Sequence, residues 1–207
     1  MPQVLKSEVR NRIQASALRV FAERGFRGAT MPEIAERAGV AVANIYRYYE
    51  NKEALFAAAL PESIAREHRV LLERSVKSLA SLATGPAQAA TSEMGALLEF
   101  WLTNRDAVVV LLDRAADTPY AEYGAGFVDR LVSLTVAELR VAHPRVKISR
   151  ELRAVITVIF DNTRRALANL LSSNESEADI RDALGAFRSY QMGGLAALSA
   201  WIGSQES

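Results

Sequence analysis

Apolar residues recur three and four positions apart through most of the 207-residue chain, and glycine, proline and short polar clusters cut that rhythm into helix-length pieces. Val9, Ile13, Ala17, Val20 and Phe21 lie on one stripe, which predicts a helix from Ser7 to Arg24 with Gly25 as its stop. Thr30-Met31-Pro32-Glu33 then supplies a capping hydroxyl, a proline tolerated in a first turn and a glutamate able to return the cap bond. Ile34 and Ala35 are its inward positions, Gly39 ends it, and Val40 and Ala41 complete a tight turn into a third helix from Val42 to Tyr49. Two short helices joined by a glycine turn make a helix-turn-helix. On a wheel of about 100° per residue, Ile45 and Tyr49 fall inside with Val42 near them. Ala43, Asn44 and Arg47 point outward, flanked by Tyr46 and Tyr48. Asn51 caps a fourth helix, anchored by Leu55 and Phe56 and closed by Pro61, which sets a domain boundary near residue 60.

The remainder reads as helices over 62–83, 87–103, 106–116, 121–141, 149–171 and 177–202, punctuated by Gly85-Pro86, Asn104-Arg105-Asp106 and His143-Pro144-Arg145. Short connections favour antiparallel neighbours. The expected fold is therefore all-α, with an N-terminal three-helix helix-turn-helix domain (1–60) followed by a larger helical bundle for ligand binding and dimerisation (61–207). The last two helices carry more apolar surface than one neighbour can cover. One seam of the final helix is bulky (Ile180, Leu184, Phe187, Gln191, Gly194, Leu198, Trp201) and the adjacent one is small apart from a tyrosine (Ala183, Ala186, Tyr190, Gly193, Ala197, Ala200). A homodimer with a four-helix interface follows, with Leu152, Val155, Ile159 and Thr163 on one helix. Ala183, Phe187, Tyr190, Gly194, Ala197, Leu198 and Trp201 stand opposite on the other. Aromatic and Met residues concentrate in the middle helices, which predicts an apolar pocket for a bulky ligand. Its candidate walls are His68, Met94, Leu97, Phe100 and Trp101, joined further along by Leu112, Tyr120, Tyr123, Phe127 and Phe160.

Charge refines this picture slightly. Residues 1–60 carry nine Lys/Arg and six Asp/Glu, while residues 61–207 carry sixteen and eighteen, a basic head on a slightly acidic body. The absence of cysteine leaves no thiolate metal site or disulfide and fits a cytoplasmic protein. The charged N-terminus does not resemble a secretory signal, and no apolar run approaches a membrane span. His68 and His143 have no metal-spaced companions, and neither a phosphate loop nor a nucleophile elbow is present, so neither cofactor nor enzymatic activity is expected. Gly124-Ala125-Gly126 is too short to count as a phosphate loop.

The run Ile13…Ala17…Phe21…Gly25-Phe26…Thr30…Ile34-Ala35…Ala38-Gly39-Val40…Ile45-Tyr46…Tyr49…Lys52-Glu53…Leu55 closely resembles the N-terminal domain of TetR-family transcriptional regulators over about residues 8–58. The resemblance implies a dimer on a double-stranded DNA operator of two related half-sites, released when a small molecule enters the body. It implies phosphate contacts from Thr30, Tyr46, Tyr48 and Lys52, and a groove-facing set of Val42, Ala43, Asn44 and Arg47. Two residues depart from the family pattern. Ala41 stands where the family usually has Ser or Thr, so the recognition helix lacks a side-chain cap. Ala43 replaces a residue that is often Gly and remains small enough to approach a thymine methyl, while Asn44 suits adenine. A body closed to small molecules would point instead to control by a protein partner.

Overall fold

The computed structural model describes the backbone of residues 3–80, 87–173 and 175–205, and the side chains of 6–77, 92–173 and 175–205. The expected helix end at Ala83 and the Gly85-Pro86 turn lie outside the described residues. The fold class is all-α, with the helix-turn-helix unit leading a helical body.

The long first helix, α1 (Gln3–Gly28), is broken at Gly25, whose φ of +70° takes the chain out of helical geometry. The four-helix head continues with α2 (Met31–Ala38), α3 (Val42–Tyr46) and α4 (Lys52–Ala59). Thr30 caps α2 by accepting the Glu33 N–H at 3.3 Å. Glu33 does not return the bond as expected; Arg24, reaching back from α1, holds its carboxylate at 3.2 Å. At the other end Gly39 adopts the left-handed conformation (φ +62°), and the Val40 N–H turns back to the Ala35 carbonyl. Helix α3 stops at Tyr46, shorter than expected, but Tyr49 still bonds the Ile45 carbonyl and so stays on its inner side. Phe21, Phe26 and Phe56 interlock beneath these helices with ring centroids 5.1–5.8 Å apart, around the fully buried Ile13, Ile34, Ile45 and Leu55. Edge-on aromatic packing of this kind adds roughly 0.5–1.5 kcal/mol per pair beyond area burial.

The body comprises α5 (Glu62–Ala80), α6 (Ala87–Thr103), α7 (Arg105–Val109), α8 (Tyr123–Ala142), α9 (Arg150–Ser172) and α10 (Glu177–Ser204). Ser149 and Ser176 cap the last two by accepting N–H groups three residues on. The run Ala107–Leu112 is at most 1 % exposed, the most deeply buried stretch of the body, and its second half widens into a π-helical turn at Val110–Arg114. The Leu112 carbonyl in that turn accepts Nη1 of Arg164 from α9, which also pairs with Asp113 at 3.0 Å. Gly124 brings the start of α8 against the same carbonyl. A Cβ there would sit 2.5 Å from it, so Gly124 has a packing role.

Head and body meet along α1, which packs α2 and α4 on one side and α7 with its π turn on the other. Arg19 reaches Asp106 at 3.0 Å and Arg27 reaches Asp117 at 2.9 Å. These partly exposed pairs fix orientation more than they stabilise.

Candidate nucleic-acid interface and ligand chamber

Two places in this fold present chemistry. The first is the outer surface of α3. Ile45 is fully buried and Tyr49 nearly so, which turns the rest of the helix outward. Ala43, Arg47 and Tyr46 are exposed, Tyr48 is just exposed, and Val42 and Asn44 are half-buried at the helix start. Thr30 is exposed at the tip of α2. Small apolar surface, an amide and a guanidinium thus share this helix surface with two phenols. Ala41 makes no side-chain cap; the Asn44 N–H falls on its backbone carbonyl at 2.8 Å instead.

Lys52 is already partly engaged within the head. Its ammonium donates to the carbonyls of Phe26 at 2.8 Å and Ala29 at 3.0 Å, and lies 4.6 Å above the Phe26 ring. Two of its three donors fasten α4 to the turn between α1 and α2. Its first duty is to the scaffold, and only the remaining donor is open to a phosphate.

The second place is an apolar chamber of about 230 Å³ between α5, α6, α8, α9 and α10. Met94, Leu97, Trp101, Phe127 and Phe160 line it, five of the ten expected wall residues. Tyr123 faces a separate cleft between α5 and α8. His68, Phe100, Leu112 and Tyr120 line none of the described cavities. Leu112 belongs to the π turn and is 1 % exposed. Phe100 stacks on the His68 ring at 5.8 Å, and Tyr120 turns toward the head, giving its hydroxyl to the Leu60 carbonyl at 3.3 Å.

His68 is a buried hub rather than a wall. Its Nε2 accepts the indole N–H of Trp101 at 2.9 Å, so the proton of the neutral ring belongs on Nδ1 and is donated to the Tyr123 hydroxyl at 2.7 Å. That hydroxyl in turn donates to the Ala65 carbonyl at 3.1 Å. Burial, with a smaller push from the Arg69 charge, lowers the His68 pKa to about 4. Burial also raises that of Tyr123. Both groups are therefore neutral at pH 7.

The expected dimer face divides. Thr163 and Phe187 line the chamber, Gln191 donating to Thr163 at 2.8 Å, while Leu152 and Leu198 are half-buried against the core. Ile159 and Ala183 are also half-buried, at the margin. Val155, Tyr190, Gly194, Ala197 and Trp201 are exposed, with Tyr190 at 75 % and Trp201 at 57 %. Helix periodicity placed Thr163 and Phe187 beside these residues but could not tell which neighbour each side chain would meet.

Residues 13–59 match the family model described as bacterial regulatory proteins, tetR family. This N-terminal domain is that of TetR-family regulators. The HTH-type transcriptional repressor AcnR of Corynebacterium diphtheriae is 35 % identical over 79 residues, 37 % of this chain and 42 % of that protein. The HTH-type transcriptional regulator RutR of Escherichia coli is 44 % identical over 48 residues, 23 % of each chain. The chain thus spans less than half the length of these curated relatives. A TetR-like transcriptional regulator from Rhodococcus sp. RHA1 superposes over 95 % of this chain and 98 % of its own, with a TM-score of 0.55 at 21 % identity. That likeness establishes the TetR fold beyond the matched head. Among the described residues no group of three or more His, Cys, Asp or Glu is placed to hold a metal, and no helix is long and apolar enough to cross a membrane.

Proposed function

We propose that this TetR-family chain is a sequence-specific, DNA-binding transcriptional regulator of the cytoplasm. In this reading it is a homodimeric repressor released from its operator by a small, mostly apolar ligand. The observation that carries the reading is the exposed face of α3. Its inner side is locked by Ile45 and Tyr49, leaving Ala43, Asn44 and Arg47 for the major groove and Tyr46 and Tyr48 for the phosphates on either side. Val42 packs at the groove-entering tip, and Thr30 and the third donor of Lys52 extend the backbone contacts.

Two heads reach successive grooves only when their recognition helices stand about 34–36 Å apart, or a suitable multiple. The exposed Val155, Tyr190, Gly194, Ala197 and Trp201 surface suits the pairing that would set this distance. Repression is the role named for AcnR, a relative matched in part. The apolar chamber favours a small-molecule effector over control by a protein partner.

A route from chamber to head follows from the bonds described. Trp101 is a chamber wall, and its indole holds His68, which holds Tyr123, which holds the Ala65 carbonyl on α5. Tyr120 touches Phe56 at 6.3 Å and bonds the Leu60 carbonyl, where α4 passes into α5. A ligand that displaces Trp101 would re-aim α4 and change the head spacing in proportion to its preference for that state. Binding of the full chain to genomic fragments, followed by release with candidate compounds, tests the proposal. Specific shifts reversed by an apolar compound are expected; fragments bound without discrimination at moderate salt count against it.

A further inference from the structure

The effector reading leaves the chemistry of the ligand open, and the chamber narrows it. At about 230 Å³ the chamber falls below the roughly 300–1,000 Å³ of an ordinary ligand site. A neighbour adjoins it. A second hollow of about 430 Å³ lies between α8 and α10, and Val76, Leu131, Phe160, Met192 and Leu195 border both. Met192, flexible and 40 % exposed, stands at their junction. A long, narrow ligand fits this pair of hollows better than a compact one.

Polarity is distributed unevenly along that path. Inside the first hollow the polar side chains are already engaged. Ser75 donates to the Glu93 carbonyl at 3.0 Å, Thr163 donates to the Ile159 carbonyl at 2.8 Å, and the Gln191 amide donates to Thr163. A polar group carried deep into it would lose water and gain little. Among the described residues one charged side chain lines this hollow, Arg188, which is exposed and in none of the described ion pairs. The contrast is with Arg181, two turns earlier on the same flank of α10, which is engaged by both Glu99 and Glu177. Among the described residues no acidic one lines the hollow beside Arg188, whereas Glu138 lines the second. An anionic end is favoured at Arg188 and disfavoured at the far side.

We infer, on the basis of the effector reading, that the ligand is an amphiphilic carboxylate. Its unbranched apolar chain runs through the two hollows and its head rests on the Arg188 guanidinium. The head gains a charge-assisted hydrogen bond while remaining partly hydrated, and the chain gains affinity by leaving water.

Calorimetric titration of the full chain with dodecanoate, dodecanol and dodecylamine, each below its micelle concentration, separates head from tail. Dodecanoate is expected to bind roughly 5- to 10-fold more tightly than dodecanol, with dodecylamine weakest. Arg188→Gln, an exposed change on a helix, should bring dodecanoate to the level of dodecanol and leave dodecanol unaltered. Octanoate should bind more weakly, since each methylene is worth roughly threefold to fourfold in affinity. Equal binding of acid and alcohol, or an acid preference that survives in Arg188→Gln, overturns the carboxylate assignment and leaves the effector reading standing. If none of the three binds while another compound releases DNA, the amphiphile class is wrong and the effector reading holds. If nothing releases DNA, the effector reading fails with it.

Discussion

At the scale of single residues, the outer face of α3 assigns different work to neighbouring side chains. If Asn44 and Arg47 read base pairs as proposed, Asn44→Ala and Arg47→Ala should each flatten preference at one position, by roughly 1–3 kcal/mol. Titration against operators mutated one base pair at a time checks this. A uniform loss across all variants would reassign the residue to the DNA backbone. Lys52 is unsuited to the same experiment, because its removal also unfastens α4 from the Phe26 and Ala29 carbonyls. Its role in the scaffold was hidden in the sequence, since a lysine beside a helix cap looks solvated until the preceding turn is placed against it. His68 was equally hard to read. Its place among segments rich in aromatics suggested a pocket wall, but the partners that make it a hub come from α6 and α8. A pH experiment tests that hub. Its folded pKa of about 4 lies below the ordinary 6.5, so the unfolded chain binds the extra proton between these values. Its contribution is therefore fully present above pH 6.5 and is lost as pH falls toward 4, by an amount on the order of 3 kcal/mol. Urea unfolding across this window should show the slope in the parent chain and a smaller one in His68→Phe. The variant should also be less stable at pH 7, with the Trp101 indole unpaired. A slope unchanged by the substitution would detach it from His68.

At the scale of elements, helices written in capping chemistry and 3.6-residue periodicity are readable in the sequence. Thr30 and Asn51 accept the cap bonds their positions implied, at Glu33 and Ala54, and the Ser149 cap closes at Leu152. Gly25 breaks α1 and Gly39 ends α2 by positive φ, as glycine permits. The π turn at Val110–Arg114 was not readable, because an all-apolar run such as Ala107–Leu112 has no periodicity with which to distinguish a widened turn. What stabilises that turn is distant in sequence: Arg164 on the Leu112 carbonyl and the bare Cα of Gly124 beside it. Gly124→Ala places a methyl 2.5 Å from a backbone oxygen that Arg164 already occupies. Overpacking of this kind typically costs about 1–3 kcal/mol, which the midpoint of urea unfolding should report. By comparison, Gly126→Ala, with open space around its Cβ, should change little. An equal response from the two variants would mean that the close approach at Gly124 is not what matters.

At the scale of the whole molecule, the head was more legible than the body. The head is a continuous stretch whose turns, caps and core positions constrain one another, and residues 13–59 match a single family model. The body repeats one apolar rhythm over many helices, and rhythm alone does not say whether Phe187 faces the chamber or a partner subunit. That is why the expected chamber and dimer lists each divided. The exposed Tyr190 and Trp201 leave a large apolar surface on α10 that a second copy would cover. Sedimentation at micromolar concentration should therefore give a dimer, and Trp201→Asp should shift it toward monomer. A monomeric parent chain would remove the device that sets the distance between heads. The central proposal is that paired α3 faces read paired sites, and selecting bound sequences from random double-stranded DNA tests this most directly. Two related half-sites with centres about one helical turn apart, or a fixed multiple, are expected at moderate salt. Recovery of sequences with no common element would contradict it.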